Sequence, residues 1–196
     1  RIRRPLRRLR ETTMPLSKAT LRRHIHTRNI DCRGYHRDDG LWDIEATLVD
    51  TKTYSFGNED RTGIAAGEPL HEMRIRLTID DDMMVHGAEA VTDASPFHVC
   101  GDITAGFDQI VGLRIGPGWR RAVLAKMAGA KGCTHLTDLL IGPLSVTAYQ
   151  TLLEVRRGED AQRTAGKKPP ILDTCHAFAR TGALAKKRWP DVATGE

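Results

Sequence analysis

The sequence predicts an α+β fold, with an N-terminal antiparallel β-meander followed by a helical C-terminal half that packs on the sheet. In the first half, apolar and polar residues alternate with a period of two, as in half-buried strands. In the second half the spacing becomes helical, and strands followed by helices are typical of α+β domains. The chain has 196 residues and 40% hydrophobic content, which is enough for one sizeable core.

Two predicted hairpins account for the first half. Residues 42–48 alternate between apolar and polar side chains, and 27–35 is the predicted partner strand. Residues 71–79 alternate in the same way, and 83–92 is predicted to return beside them. Together these four segments predict an antiparallel meander.

The second half is predicted to contain helices separated by glycine- and proline-containing breaks. The breaker Gly142-Pro143 is expected to kink or interrupt the longest of them, and Asp173 is the predicted N-cap of the last. The predicted helical segments are 101–111, 118–129, 133 to about 157, and a last helix that starts with 173–180, with a loop between the last two.

Basic charge is concentrated at the start of the chain. Residues 1–30 hold ten Lys and Arg against one Glu, a net charge of +9, whereas the remaining residues hold 20 basic and 24 acidic side chains, a net charge of −4. We therefore predict a basic arm at 1–22, a single domain at 23–190 and a tail at 191–196. The arm could contact nucleic acid or anionic lipid. A disordered or loosely docked leader is the favoured interpretation, because no aromatic residue lies between the arginines to stack on bases.

No apolar run reaches the roughly 18–20 residues of a membrane span, and no apolar stretch follows the basic start as in a secretory signal. We therefore expect a soluble, cytoplasmic protein. Its four cysteines are then expected to be reduced and available for chemistry or metal binding.

Three of the cysteines lie at predicted helix starts, where the partial positive charge favours the thiolate. If they converge, they form a metal site, and thiolates favour zinc, iron or a small iron–sulfur cluster. The candidate ligands are Cys100, Asp102, Cys133, His135, Cys175 and His176. The alternative is that the cysteines are scattered apolar fillers, since no Cys-x-x-Cys pair is present.

Two residues are candidates for catalysis. His71 lies on the apolar face of its strand near Glu68 and Glu72, so it is either a general base, a metal ligand or an ordinary core histidine. Cys133 is the candidate nucleophile of a metal-free enzyme acting on an acyl or thioester substrate, with His135 or His71 as its base.

Three carboxylates of the strand around residue 46 are given a structural interpretation. We interpret Asp43, Glu45 and Asp50 as a solvated strand face, with a paired-carboxylate role for Asp43 and Glu45 as the alternative.

Several long blocks of the sequence resemble a bacterial family known only as a domain of unknown function. The resemblance covers about 24–190 and implies family membership without a reaction. The blocks are RGYHRDDGLWDIEATLVDTKTYSF (33–56), AGEPLHEMRIRLTID (66–80), SPFHVCGDITAGFDQIVGLRIGPGW (95–119), GCTHLTDLL (132–140) and PPILDTCHAFA (169–179).

A second likeness, at the level of short motifs, is to the scaffold proteins that assemble iron–sulfur clusters. It rests on Cys100-Gly101-Asp102, Gly132-Cys133 and Cys175-His176, and implies Cys100, Asp102, Cys133 and Cys175 as ligands. The pattern differs from that family in two ways. Here His176 follows the last cysteine instead of preceding it, and the strands precede Cys100, whereas in the scaffold proteins strands lie between the first two cysteines.

The sequence therefore leaves three functions open: a metal-binding protein, a cysteine-nucleophile enzyme, and a binding protein whose arm contacts nucleic acid or an acidic partner. It does not determine an oligomeric state.

Overall fold

The computed structural model describes residues 16–153 and 171–193, and it confirms the α+β class. A four-stranded antiparallel sheet comes first, with its strands adjacent in chain order, and helical segments follow. The strands are β1 (His26–His36), β2 (Trp42–Lys52), β3 (Pro69–Ile79) and β4 (Val85–Ala94).

One face of the sheet carries the core. Along β2, every second residue from Trp42 to Asp50 is buried, and β3 buries Met73, Ile75, Leu77 and Ile79 in the same rhythm. Strand side chains point alternately to the two faces, so this pattern directs one face of each strand to the helices. The predicted alternation and the two predicted hairpins are present in the fold.

The helical segments cover that face. Phe107 and Ile110 anchor the first of them, and Trp119, Val123 and Met127 anchor the second. The segments are a series of 3-10 turns at His98–Ile110, α1 (Trp119–Met127), a 3-10 turn at Gly129–Lys131, α2 (Thr134–Leu139), a π-helical turn at Leu140–Leu144 and α3 (Ser145–Thr151).

The predicted break at Gly142-Pro143 is a widened turn that joins α2 directly to α3. Proline has no N–H, so the regular hydrogen-bond pattern cannot continue through Pro143. Neighbouring side chains bind carbonyls in this turn. Trp119 Nε1 donates to the Leu140 oxygen at 3.0 Å, and Ser145 Oγ donates to the Gly142 oxygen at 2.9 Å. These side chains therefore provide hydrogen-bond partners for two carbonyls of the irregular turn.

The predicted start of the last helix at 173–180, with Asp173 as its N-cap, is wrong. A 3-10 turn at His176–Phe178 is present there, and the helices begin later, at Ala183–Arg188 and Pro190–Ala193. Asp173 has a positive φ of 65°. Its carboxylate accepts hydrogen bonds from the backbone N–H and guanidinium of Arg180, so it closes a loop instead of capping a helix.

Parts of three sequence predictions lie outside the described residues. These are most of the basic arm, at 1–15, the segment 154–170, where the end of the long helix and the following loop were expected, and the end of the predicted tail, at 194–196. Within the described part, none of the helices has the length and hydrophobicity needed to cross a membrane. The division into arm, domain and tail stays a prediction.

Gly132 allows a close approach between the end of α1 and the start of α2. A Cβ atom built at this position would overlap the backbone carbonyl oxygen of Met127. A backbone atom cannot rotate out of the way as a side chain can. The glycine therefore allows the end of α1 to lie in contact with the segment that leads into Cys133 and α2.

Replacing Gly132 with Ala is expected to lower the free energy of unfolding by about 1–3 kcal/mol, because the backbone must shift to admit the methyl group. Gly57→Ala is the control, since no atom lies within 4 Å of a Cβ built there. Urea unfolding followed by circular dichroism measures both variants. Equal stabilities for the two variants would show that the contact with Met127 does not constrain the chain.

Candidate metal centre

Asp50 is a buried carboxylate on the inner face of β2. It follows Leu48 by two residues and therefore continues the apolar face of that strand, and its relative exposure is 1%. Its interpretation as part of a solvated face is wrong. Asp43 and Glu45 do lie on the outer face, where Thr78 and Arg76 bind them.

Four nitrogen atoms from the two neighbouring strands, β1 and β3, surround the Asp50 carboxylate. Arg28 on β1 donates from Nε to Oδ1 at 2.8 Å and from Nη2 to Oδ2 at 2.7 Å. His26 Nε2 lies 3.0 Å from Oδ1, and His71 Nδ1 lies 3.1 Å from Oδ2. Arg28 and His71 are the direct cross-strand neighbours of Asp50, so strand register places them beside it.

The charge of Asp50 is maintained by these neighbours. Burial by itself would raise the pKa of the carboxyl group, but the hydrogen bonds and positive charge of Arg28, with smaller contributions from His71 and His26, outweigh it and lower the pKa to about 2. Asp50 is therefore an anion at neutral pH in spite of its burial.

His135 reaches the same carboxylate from the helical layer. It lies in the first turn of α2, and its Nε2 is 3.9 Å from Asp50 Oδ2. Its ring lies 4.0 Å from that of His71, centroid to centroid.

The sheet is irregular beside this site. The pairing of β2 with β3 shifts register between Asp50 and Thr51, and such bulges reorient nearby side chains.

Asp50, His71 and His135 form a group that could hold a metal ion. One nitrogen of each imidazole and one carboxylate oxygen all lie within 4.8 Å of one another. The Asp50 side chain is 2% exposed, that of His71 12% and that of His135 25%, so the group is mostly shielded from water.

Both imidazoles are held in their neutral form. Burial lowers the pKa of His71, as does its proximity to His135, and these effects exceed the opposing influence of Asp50. Burial and the charge of Arg28 lower the pKa of His135. Because neutral imidazole is the form that coordinates metals, the environment favours coordination at neutral pH.

Cys133 lies on the other side of the His135 ring. Its Sγ is 3.8 Å from His135 Nδ1 and 4.0 Å from Met73 Sδ. Cys133 is the residue before α2 and is half-buried against the core. The structure therefore brings together three of the residues named from the sequence, which are His71, Cys133 and His135. Their catalytic and ligand roles stay predictions.

The three helix-start cysteines do not meet in the structure. Among the described residues, the group with ligand atoms near enough to share one ion contains no cysteine. Cys100 lies in the 3-10 segment after β4, with Asp102 exposed beside it, and Cys175 and His176 are exposed near the C-terminal end. The convergent thiolate site and the iron–sulfur likeness therefore find no support.

Sequence reasoning missed Asp50, Arg28 and His26, although a signal for Asp50 was present. The alternation that identified β2 also places Asp50 on the buried face, where an unpaired carboxylate is costly. A charged residue on an otherwise apolar face therefore predicts a partner. Only strand pairing shows that the partners are Arg28 and His71.

Asp50→Asn is expected to lower the free energy of unfolding by about 2–4 kcal/mol, because the amide removes the charge that four donors share in a buried position. Asp31→Asn is a matched control. Arg33 binds Asp31 on the same strand through the same two atoms, Nε and Nη2, but that pair is exposed. A much smaller change is expected there. Chemical denaturation measures both, and an equal loss would show that burial does not strengthen the Asp50 interactions.

The comparisons with known proteins agree with the resemblance seen in the sequence. Residues 26–150 match the model of the family described as "Protein of unknown function (DUF2889)". That range contains the whole sheet, α1, α2 and nearly all of α3, and thus Asp50, His71, Cys133 and His135. No curated protein and no solved structure matches the chain. The match covers more than half of the chain, which therefore belongs to this family of unknown function.

Proposed function

We propose that this protein binds a divalent transition metal ion, zinc or iron, through Asp50, His71 and His135. The donor set supports the proposal. Two imidazoles and one carboxylate form the protein ligands of many catalytic zinc sites, and the same set holds non-haem iron(II) on one face of the ion. The single observation that carries it is the convergence of the three ligand atoms within 4.8 Å.

The distances fit a small ion. Ligands placed 2.0–2.1 Å from a tetrahedral zinc ion are about 3.3 Å from one another. The distance from His71 Nδ1 to Asp50 Oδ2 is 3.1 Å, and that from His135 Nε2 to the same oxygen is 3.9 Å. These two distances differ from that spacing by less than about 1 Å, and all three ligand atoms lie within 4.8 Å of one another.

The surroundings support the ligands as well. Arg28 fixes the orientation of the Asp50 carboxylate through two hydrogen bonds. Coordination through His135 Nε2 would leave its Nδ1 protonated, and Cys133 Sγ lies where it can accept that hydrogen. Partners of this kind orient metal-bound imidazoles and raise their basicity. In this arrangement Cys133 supports a ligand without contacting the metal.

The proposal predicts stoichiometric binding of Zn²⁺ or Co²⁺ by the full chain, measured by isothermal titration calorimetry and by metal analysis after dialysis. Loss of a supporting partner alone weakens metal sites by about 10–100-fold, so His71→Ala and His135→Ala are each expected to weaken binding by more than about 100-fold. Acidification should release the metal, because a protonated imidazole has no lone pair for coordination.

His86→Ala is the matched control for these variants. His86 also contacts a carboxylate, with its Nε2 2.7 Å from Asp80 Oδ2, but it lies on an exposed strand position away from the proposed site. Its loss should leave the affinity unchanged. The proposal fails if the wild-type protein binds no stoichiometric metal, or if all three variants bind it equally.

A second candidate function is a metal-free enzyme with Cys133 as its nucleophile. The observation that favours it is a chain of contacts from Cys133 Sγ to His135 Nδ1 at 3.8 Å and from His135 Nε2 to Asp50 Oδ2 at 3.9 Å. In this arrangement His135 takes the thiol proton and Asp50 stabilises the imidazolium. The thiolate would attack the carbonyl carbon of an acyl or thioester substrate and displace its leaving group.

This second function predicts that Cys133 in the metal-free protein reacts with iodoacetamide faster than the other three cysteines, as followed by peptide mass spectrometry. His135→Ala is expected to slow Cys133 by about tenfold or more, because the base is removed. His176→Ala removes the histidine beside Cys175 and serves as the control. Equal rates at Cys133 in both variants would exclude His135 as its base.

A further inference from the structure

The charges around the proposed metal site are nearly balanced before any ion binds. Arg28 neutralises Asp50 by a two-point contact. Asp138, on the exposed side of α2, acts electrostatically on both Arg28 and His135. The two imidazoles add no charge to this count, because a metal ion binds imidazole in its neutral form. These charged groups together carry one excess negative charge.

A bound divalent ion would reverse that balance and leave one excess positive charge. It would also lie close to the guanidinium group. Arg28 Nη2 contacts Asp50 Oδ2 at 2.7 Å, and the ion would contact the same oxygen at about 2.1 Å, so the two cations would be within about 4.8 Å of each other. In a mostly buried site such repulsion is poorly screened by water.

The three protein ligands also leave coordination positions open, because a tetrahedral ion needs four ligands and an octahedral ion six. Arg28 and His26 lie on β1, an edge strand of the sheet, and their side chains are 37% and 36% exposed. His71 is 12% exposed. His135 is 25% exposed, so among the side chains of the site the most exposed are those on the side of the guanidinium.

From this arrangement we infer that the bound metal takes an oxyanion, a carboxylate or phosphate group, as an additional ligand, and that Arg28 binds the same anion. This inference rests on the proposed metal site and names the class of molecule that the site accepts.

The anion restores the charge balance of the site. It also bridges the metal ion and Arg28, the two cations that share Asp50 Oδ2. Arg28 uses Nε and Nη2 to bind Asp50, so Nη1 takes no part in that pair. Guanidinium groups bind carboxylate and phosphate oxygens well because their N–H groups match the geometry of these anions.

The test uses the full chain loaded with Co²⁺, whose visible absorption reports its ligands. Acetate and inorganic phosphate are titrated separately, with sodium perchlorate matching the ionic strength. At least one of the two oxyanions is expected to change the spectrum saturably and to tighten Co²⁺ binding by about tenfold or more, since the coupling between two ligands is reciprocal. The acetate and phosphate arms distinguish a carboxylate site from a phosphate site.

Arg28→Gln separates the role of the guanidinium charge from that of the metal. Because Arg28 also orients Asp50, its loss is expected to change the affinity for Co²⁺ alone, and the readout is therefore the ratio of Co²⁺ affinities with and without saturating oxyanion. That ratio should fall from about tenfold or more in the wild type to about one in the variant. Arg28→Lys should keep part of the anion effect. Arg33→Gln is the matched control, because Arg33 binds Asp31 on the exposed face through the same two atoms; it should behave as the wild type.

Each outcome is decisive. If wild-type protein binds Co²⁺ but neither oxyanion alters its spectrum or affinity beyond the perchlorate control, the inference is wrong and the metal site stands. If the oxyanions act equally on the wild type and on Arg28→Gln, Arg28 does not bind the anion and the bridging arrangement is wrong. If wild-type protein binds no Co²⁺, the proposed function itself fails, and this inference fails with it.

Discussion

The arrangement of the site depends on one constraint, which is the burial of the Asp50 carboxylate inside the sheet. An isolated anion on this face would be very unfavourable, so its position requires the charge of Arg28 and the hydrogen bonds of His26 and His71. These interactions order β1, β2 and β3 against one another at one end of the sheet. His135 then joins the group from α2, which links the sheet to the helical layer.

The same geometry relates the two proposed chemistries through the two nitrogens of His135. Nε2 faces Asp50, and Nδ1 faces Cys133. With a metal on Nε2, the Nδ1–H group donates to the sulfur, whereas in the metal-free reaction Nδ1 accepts the thiol proton. The two functions therefore require opposite proton positions on one ring, and an ion bound at Nε2 prevents His135 from acting as the base. Lowered pKa values of the imidazoles are compatible with both.

Much of the fold could be predicted because its signals are local. The alternation in β2 and β3, the helical spacing after residue 100 and the break at Pro143 all depend on neighbours within a few positions. The candidate site was harder to predict. His71, Cys133 and His135 were recognised by residue type, but the cysteines were expected to converge because each lies at a helix start. Short helical segments that start at different places on a sheet need not meet, and Cys100 and Cys175 lie elsewhere.

The fold class and the strands follow from the order of residues along the chain, because side-chain alternation is a local property of a strand. The same alternation indicates a buried position for Asp50, although the interpretation of this residue as part of a solvated face was wrong. Which residues share a site depends on packing between distant segments of the chain. Asp50 is 21 positions from His71 and 85 from His135 along the chain. The alternation of apolar and polar residues within one strand cannot show that residues so far apart are in contact. Strand register brings Arg28 and His71 beside Asp50, and the close approach at Gly132 sets where α2 begins and thus where His135 lies. The local sequence pattern therefore predicts each strand and helix separately, whereas the site forms only where these elements pack against one another.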